Sequence, residues 1–194
     1  MPQKATSAGA FREEMWNRLA ATRVAAFPLP PHGHHPNFVR ARDAARHLLT
    51  HPEVAGLHTL IVGPERALLP LRKLALAAGI TLYVPHQQRE GWYWRLIDPA
   101  GAALSHLSAV GEPTLRPEGA QAAVLACVAA DRRGGRLSKG FGWGARGLGL
   151  GLPEYTLAHP LMLLDRLPCA ADSRVRLIGT PGGTTEAANL TLSP

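Results

Sequence analysis

Asp131-Arg-Arg-Gly-Gly-Arg-Leu-Ser-Lys-Gly-Phe-Gly-Trp-Gly-Ala-Arg146 gathers five glycines and the cations Arg132, Arg133, Arg136, Lys139 and Arg146 into one short stretch. It follows a near-continuous apolar run, residues 122–130, of the length of a strand buried on both faces. Glycines free the backbone to come close to a ligand and to turn N–H groups toward it. Strand, glycine-rich turn and clustered cations describe an anion cradle suited to a polyphosphate. The spacing fits neither G-x-x-x-x-G-K-S/T nor G-x-G-x-x-G. A flexible basic surface loop has the same composition, and spacing alone does not separate the two.

Working outward, 194 residues are enough for one large domain with one sizeable core. We expect a tail over residues 1–9 and a single α/β domain over 10–185. A hydrophobic fraction of 46% with 18% charged residues is that of a globular chain. No apolar run reaches the length that spans a bilayer, and the polar N-terminus has no signal-peptide core, so a cytoplasmic address without membrane contact is expected. Cys127 lies within the apolar run and reads as a small core residue; with Cys169 it makes no metal motif. The net charge of +7 fits a polyanionic ligand, whether nucleotide, polyglutamylated cofactor or RNA. That charge is dispersed, which fits a general nucleic-acid binder poorly.

Phe11, Met15 and Leu19 recur every four residues and predict an amphipathic helix over 10–22, followed by an extended Phe27-Pro-Leu-Pro-Pro31. His32, His34 and His35 sit in a Pro/Gly loop; no Cys or carboxylate is near to complete a zinc site, so a polar loop is the default. Asn37 reads as an N-cap for a helix through Leu49. A strand is expected over 57–62. Pro70 and Gly79 then bracket a helix with Leu71, Leu74, Ala75 and Ala78 inward and Arg72 exposed. Further strands are expected over 80–84 and 92–97. In the latter, alternation puts Trp92, Trp94 and Leu96 on one face, as packing or as a stacking platform. Residues 100–119 read as loop with at most a short helix, and 155–164 and 174–178 as strands, with a closing turn at Thr180-Pro181 and a tail. Strands alternating with helices predict a three-layer α/β/α fold around a largely parallel sheet. In such sheets ligands bind beyond the carboxyl ends of the strands.

Asp131, Gly134, Arg136, Leu137, Gly140, Gly142 and Arg146 match the signature of the 5-formyltetrahydrofolate cyclo-ligase (methenyltetrahydrofolate synthetase) family, which the chain resembles. The flanks are similar to a divergent branch, the methenyltetrahydrofolate synthetase domain-containing proteins. The residues that carry this are Phe27-Pro28 with Pro36-Asn37-Phe38, then Arg72, Leu76, Gly79, Val84-Pro85, Arg89, Gly91 and Asp98-Pro99, then Asp172 with Thr180-Pro181. The resemblance implies a fold of the NagB/RpiA/CoA-transferase type and ATP-dependent conversion of 5-formyltetrahydrofolate to 5,10-methenyltetrahydrofolate. There ATP phosphorylates the formyl oxygen, N10 attacks the activated carbon and phosphate leaves, which asks the protein for positioning and cationic stabilisation. It further implies Arg136 and Lys139 as catalytic, Arg12, Arg136, Lys139, Gly140, Gly142 and Arg146 as ATP contacts, and Trp143, Arg72 and Arg89 as substrate contacts. Asp172 is implied as a ligand for Mg2+.

Several positions depart from the family pattern. Ser138 stands for a glycine, Trp143 and Gly144 for two tyrosines, Ala145 for an aspartate that helps hold magnesium, and Arg176 for an acidic residue. Two functions follow as expectations. One is a cyclo-ligase with impaired turnover that uses ATP and Mg2+. The other is a non-catalytic protein binding nucleotide, folate or RNA on the same fold, with RNA disfavoured because no R-G-F-x-F-type aromatic run is present.

Overall fold

A computed structural model describes residues 6–188; of the tail expected over 1–9, residues 1–5 lie outside the described residues, as do 189–194. Helix α1 (Ala8–Ala21) begins two residues before the expected start, because the Ser7 hydroxyl caps it by accepting from the Ala10 N–H at 3.1 Å. Its buried stripe is Phe11, Met15, Trp16 and Leu19. Strands β1 (Ala25–Ala26) and β2 (Asn37–Phe38) pair antiparallel around the proline-rich segment. Asn37 is therefore not a helix cap. Its amide donates to Phe27 O at 2.9 Å and its Oδ1 accepts from the Phe38 N–H, and both interactions hold the ribbon. Helix α2 (Ala41–Thr50) starts after Arg40 instead.

Next come the short α3 (Pro52–Ala55), strand β3 (Thr59–Val62), a 3-10 turn at Arg66–Leu68 and helix α4 (Leu69–Ala77). The expected inward face of α4 needs correction: Arg72 is 1% exposed, whereas Ala78 is exposed. Strands β4 (Thr81–Pro85) and β5 (Tyr93–Leu96) fall where alternation puts them. The stretch read as loop over 100–119 is more ordered than expected. It holds 3-10 turns at Pro99–Ala102 and Leu104–His106, helix α5 (Leu107–Val110) and strand β6 (Glu112–Thr114).

The apolar run 122–130 is not one strand. Strand β7 (Ala122–Val124) belongs to the large sheet and β8 (Ala129–Asp131) to a second, smaller one. Every residue of the run is buried whichever sheet holds it, so apolarity carries no sign of the crossing. Strand β9 (Gly135–Leu137) turns back on β8, and β10 (Glu154–Leu157) returns to the large sheet. The two later strand expectations split in the same way. Strands β11 (Leu163–Leu164) and β12 (Ser173–Arg174) join the small sheet, while β13 (Leu177–Thr180) and β14 (Gly183–Glu186) join the large one. Part of the expected C-terminal tail is thus strand β14.

The large sheet has the order β14-β13-β10-β7-β3-β4-β5-β6, and the small one β11-β8-β9-β12. Strands β13, β10, β7, β3 and β4 are mutually parallel; β14, β5 and β6 are antiparallel additions at the two ends. This is a mixed α/β fold with a mostly parallel central sheet. Leu60, Val62, Leu82 and Val84 point to the main core with Leu48 of α2 and Leu71 of α4. Ile61, Tyr83 and Ala123 point the other way, and are covered by Trp143, Leu148 and Leu152 of the loop between β9 and β10. The glycine-rich stretch is therefore a layer of the fold as well as a loop. Among the described residues no helix is long and apolar enough to cross a membrane.

Candidate functional site

After β3 the chain moves to β4 on one side, and β7 later returns to the other side of β3. The order of the sheet reverses there, and the carboxyl ends of β3 and β4 open beside that point. A cleft of about 1030 Å3 lies over them. The residues just past β3 (Pro64, Glu65, Arg66) and just past β4 (His86, Gln87, Gln88) form one wall. His34 and His35 contribute from the β1–β2 ribbon, Trp92 and Tyr93 from the start of β5, and Lys139, Gly142, Trp143 and Gly144 from the glycine-rich loop.

A polar knot sets the base of that loop. Asp172 Oδ2 accepts from the Ser138 N–H and hydroxyl, both at 2.8 Å, and from Arg12 Nη2 at 3.0 Å. Arg12 Nε also donates to Ser138 O at 2.7 Å, and the Gly140 N–H donates to Ser138 Oγ at 2.9 Å. Ser138, where the resemblance expects glycine, thus uses its hydroxyl to tie the loop to Asp172. Gly140 sits at φ +95, and a Cβ there would meet the Arg12 guanidinium carbon at 3.0 Å. Any side chain would be strained in backbone, and the guanidinium would have to give by a few tenths of an ångström. Farther along, Glu154 Oε1 accepts from the Leu148 N–H at 2.8 Å, and a Cβ on Gly147 (φ +77) would meet that same oxygen at 3.0 Å.

Arg136 is 1% exposed and lies beneath the loop. Its Nε donates to Ala126 O at 2.8 Å, and its Nη1 to Gly144 O at 2.9 Å and Ser173 Oγ at 3.0 Å. Arg136, expected to meet phosphate, is not among the residues lining the cleft, and two of its three nitrogens hold protein oxygens beneath the loop. Arg72, expected to be exposed, is likewise buried and absent from the lining. Its Nε donates to Ala102 O at 3.0 Å, and its Nη1 to Gly63 O at 2.7 Å and Glu65 O at 3.0 Å. Burial pulls its pKa down to about 10, which leaves it charged at neutral pH.

Of the other residues expected at the site, Lys139, Gly142 and Trp143 line the cleft together. The Lys139 ammonium lies 4.5 Å from the Phe141 ring centroid. Arg89 stacks over Trp92, a cleft residue, at 3.7 Å, while Trp94 carries His86 stacked at 4.6 Å. Trp94 also packs against the main core, whereas Trp92 lines the cleft. Arg12, Gly140 and Asp172 belong to the knot behind the cleft, and Arg146 is exposed and absent from the lining. Cys127 is buried, its thiol donating to Leu157 O at 3.4 Å, and burial pushes its pKa up, as befits a core residue.

Sequence reasoning missed Glu65 and read His35 as part of a polar loop. His35 is instead fully buried in its side chain, with Nε2 accepting from the Lys139 N–H at 3.2 Å and Nδ1 3.4 Å from Glu65 Oε1. Burial first, then Arg136, Lys139, Arg12 and His34, hold the His35 pKa well below its ordinary value. Burial raises that of Glu65 against the pull of Arg136, Arg72 and Lys139. The place of Glu65, three residues past the strand at the reversal point, was the available signal.

Magnesium asks for an octahedron of hard oxygens and usually takes one or two carboxylates. Asp172 is the carboxylate expected to hold it, but one of its oxygens already serves Arg12 and Ser138, with the guanidinium cation 3.0 Å away. Ala145 offers no side-chain donor, and Arg176 pairs with Glu53 at 3.1 Å. Among the described residues no three His, Cys, Asp or Glu side chains cluster to hold a metal ion. This donor set does not fit magnesium.

Comparison with known proteins agrees with the fold and the motif. The model of the 5-formyltetrahydrofolate cyclo-ligase family matches residues 6–181. Methenyltetrahydrofolate synthase domain-containing protein of Mus musculus is 28% identical over 187 residues, covering 84% of this chain and 50% of that protein. Its Bos taurus counterpart is 26% identical over 185 residues, at 84% and 49%. The chain thus spans about half the length of the curated relatives it matches. Among solved structures, Aquifex aeolicus 5,10-methenyltetrahydrofolate synthetase superposes with a TM-score of 0.62 at 19% identity, over 95% of this chain and 96% of that one, a likeness of fold. With the family model matched across nearly the whole described chain, the protein belongs to the 5-formyltetrahydrofolate cyclo-ligase family.

Proposed function

We propose that the cleft binds nucleotide phosphates and a folate, and that it closes 5-formyltetrahydrofolate to 5,10-methenyltetrahydrofolate slowly at the expense of ATP. The observation that carries this reading is Lys139, held at the lip of a cleft of about 1030 Å3 by a glycine-rich loop that the β9–β10 connection folds over the sheet. The reaction needs a phosphorylated formyl oxygen, an aligned N10 and departing phosphate, so positioning and cationic stabilisation suffice. Low turnover follows from Asp172 being engaged by Arg12 and Ser138. A reading in which binding occurs without turnover is favoured by the same engagement.

The direct test mixes purified protein with ATP and 5-formyltetrahydrofolate and follows the methenyl chromophore. A slow signal supports the enzyme. No signal, with ATP-analogue and folate binding retained, supports binding alone. Absence of both sinks the proposal. Nucleotide affinity measured by calorimetry should be the same with and without EDTA; fast turnover that stops on chelation would contradict the reading of Asp172.

Lys139→Ala should weaken ATP-analogue binding by about 1.5–3 kcal/mol, the range for hydrogen bonds to charged groups. Equal calorimetric affinity in variant and wild type would remove Lys139 from the phosphate site. Arg146→Ala, on an exposed residue outside the cleft, provides the comparison.

A further inference from the structure

The net charge of +7 is spread along the chain, but the fold gathers part of it again on one surface. Strands β8 and β9 are joined by a tight turn that carries Arg132 and Arg133, both exposed. The buried carboxylate of Asp131 builds that turn and fastens a second segment beside it. Its Oδ1 accepts from the Arg133 N–H at 3.0 Å and the Gly135 N–H at 2.8 Å, and its Oδ2 from the Leu167 N–H at 2.9 Å. The segment held in this way carries Asp165 and Arg166, both exposed, and the Arg132 N–H donates to Leu164 O at 2.9 Å. On the other flank β12 lies against β9, and its exposed Arg174 donates from Nη2 to Arg133 O. Four arginines from three segments thus meet at one turn, and Asp165 is the exposed acid among them. It lies 3.2 Å from Arg132, but its side chain is 99% exposed, so water and salt weaken the pair. At the border, where the Ala187 and Ala188 N–H groups donate to Arg176 O and Arg132 O, charges are already matched: Arg176 pairs with Glu53 and Glu186 with His51. Strand β9 leads away from the turn to the Ser138 knot, and none of the four arginines lines the cleft.

We propose that this surface binds the phosphate backbone of a nucleic-acid duplex, independently of the cleft and of the function proposed for it. A guanidinium grips phosphate oxygens through two parallel N–H donors, and all four cations are arginine. The large apolar side chains exposed among the described residues, such as Phe27, Ile97 and Phe141, lie on other segments, so the surface has nothing to insert into a bilayer. The three segments carry no aromatic ring on which unpaired bases could stack. Contact with backbone alone favours the duplex, where phosphates are densest, and reads no sequence.

Fluorescence anisotropy with a short labelled DNA duplex of mixed sequence, over a series of salt concentrations, tests the assignment. Wild type should bind with a Kd of roughly 1–100 µM near physiological salt, and log affinity should fall against log salt by roughly 0.9 for each phosphate neutralised. Arg133→Ala and Arg166→Ala, at exposed positions, should each weaken binding several-fold and reduce that slope by about one. Combined with Arg174→Ala they should weaken it at least about tenfold. Arg42→Ala removes the same charge from an exposed position at the start of α2 and should bind as wild type does. Lys139→Ala, in the cleft, should do the same. Equal losses in Arg42→Ala and Arg133→Ala would mean that overall basicity attracts the duplex, and would overturn the proposal. It is overturned as well by a wild type that binds no duplex at low salt, by binding lost in Lys139→Ala, by polyglutamate bound as tightly as the duplex, or by tighter binding of the separated strand.

Discussion

Arg136→Ala should lower the unfolding free energy by about 3–5 kcal/mol and should also weaken nucleotide binding, although its guanidinium never reaches the cleft. The side chain joins the 125–128 crossing between the sheets, the loop at Gly144 and strand β12, through one bond to each. Removing it leaves the buried Ala126 carbonyl, and the half-buried Gly144 carbonyl and Ser173 hydroxyl, without this donor. Each orphaned buried group costs about 1–3 kcal/mol. The binding loss follows because Gly144 loses the bond that holds the loop against the sheet. Urea unfolding gives the first quantity and calorimetry with an ATP analogue the second. Arg136→Lys separates charge from stitching: an ammonium keeps the charge but cannot reach three oxygens in a fork. Full rescue of binding by lysine, or wild-type stability in the alanine variant, would refute the account.

Arg72→Ala should be as damaging, at about 3–5 kcal/mol, and for a related reason. Two of its three donor nitrogens hold Ala102 O, Gly63 O and Glu65 O, so helix α4, the 3-10 turn at Pro99–Ala102 and the segment after β3 are pinned at one point. That segment carries Glu65. The alanine variant should therefore lose folate binding more steeply than its stability alone dictates, measured at a temperature where it remains folded. A variant that unfolds earlier but binds folate as wild type does would show that the carboxylate is placed without Arg72.

The parts of this fold that could be read from the chain are those set by near neighbours. Phe11, Met15 and Leu19 sit on one helical stripe because spacing alone puts them there, and β4 and β5 announce themselves by apolar content and alternation. What escaped depends on partners far along the chain. Arg72 reads as an exposed cation and Arg136 as a phosphate contact until carbonyls of other segments take their donors. Asn37 looks like a cap until Phe27 takes its amide. The site divides the same way: Lys139, Gly142 and Trp143 were legible from the motif. Glu65 and His35 were not, because their meeting requires β3 and the β1–β2 ribbon to converge.

The order of strands in the large sheet bears on how the molecule behaves among its own copies. One border is β6, where Pro113 stands opposite Trp94 and has no N–H to offer an incoming strand. The other is β14, four residues long and ending in Glu186, which meets His51 at 3.0 Å. Short, charged or proline-bearing borders are poor templates for a neighbour's backbone. The parallel strands β13, β10, β7, β3 and β4, apolar and well suited to stacking, are enclosed between them. The sheet is thus protected from growing by addition of other chains at either end.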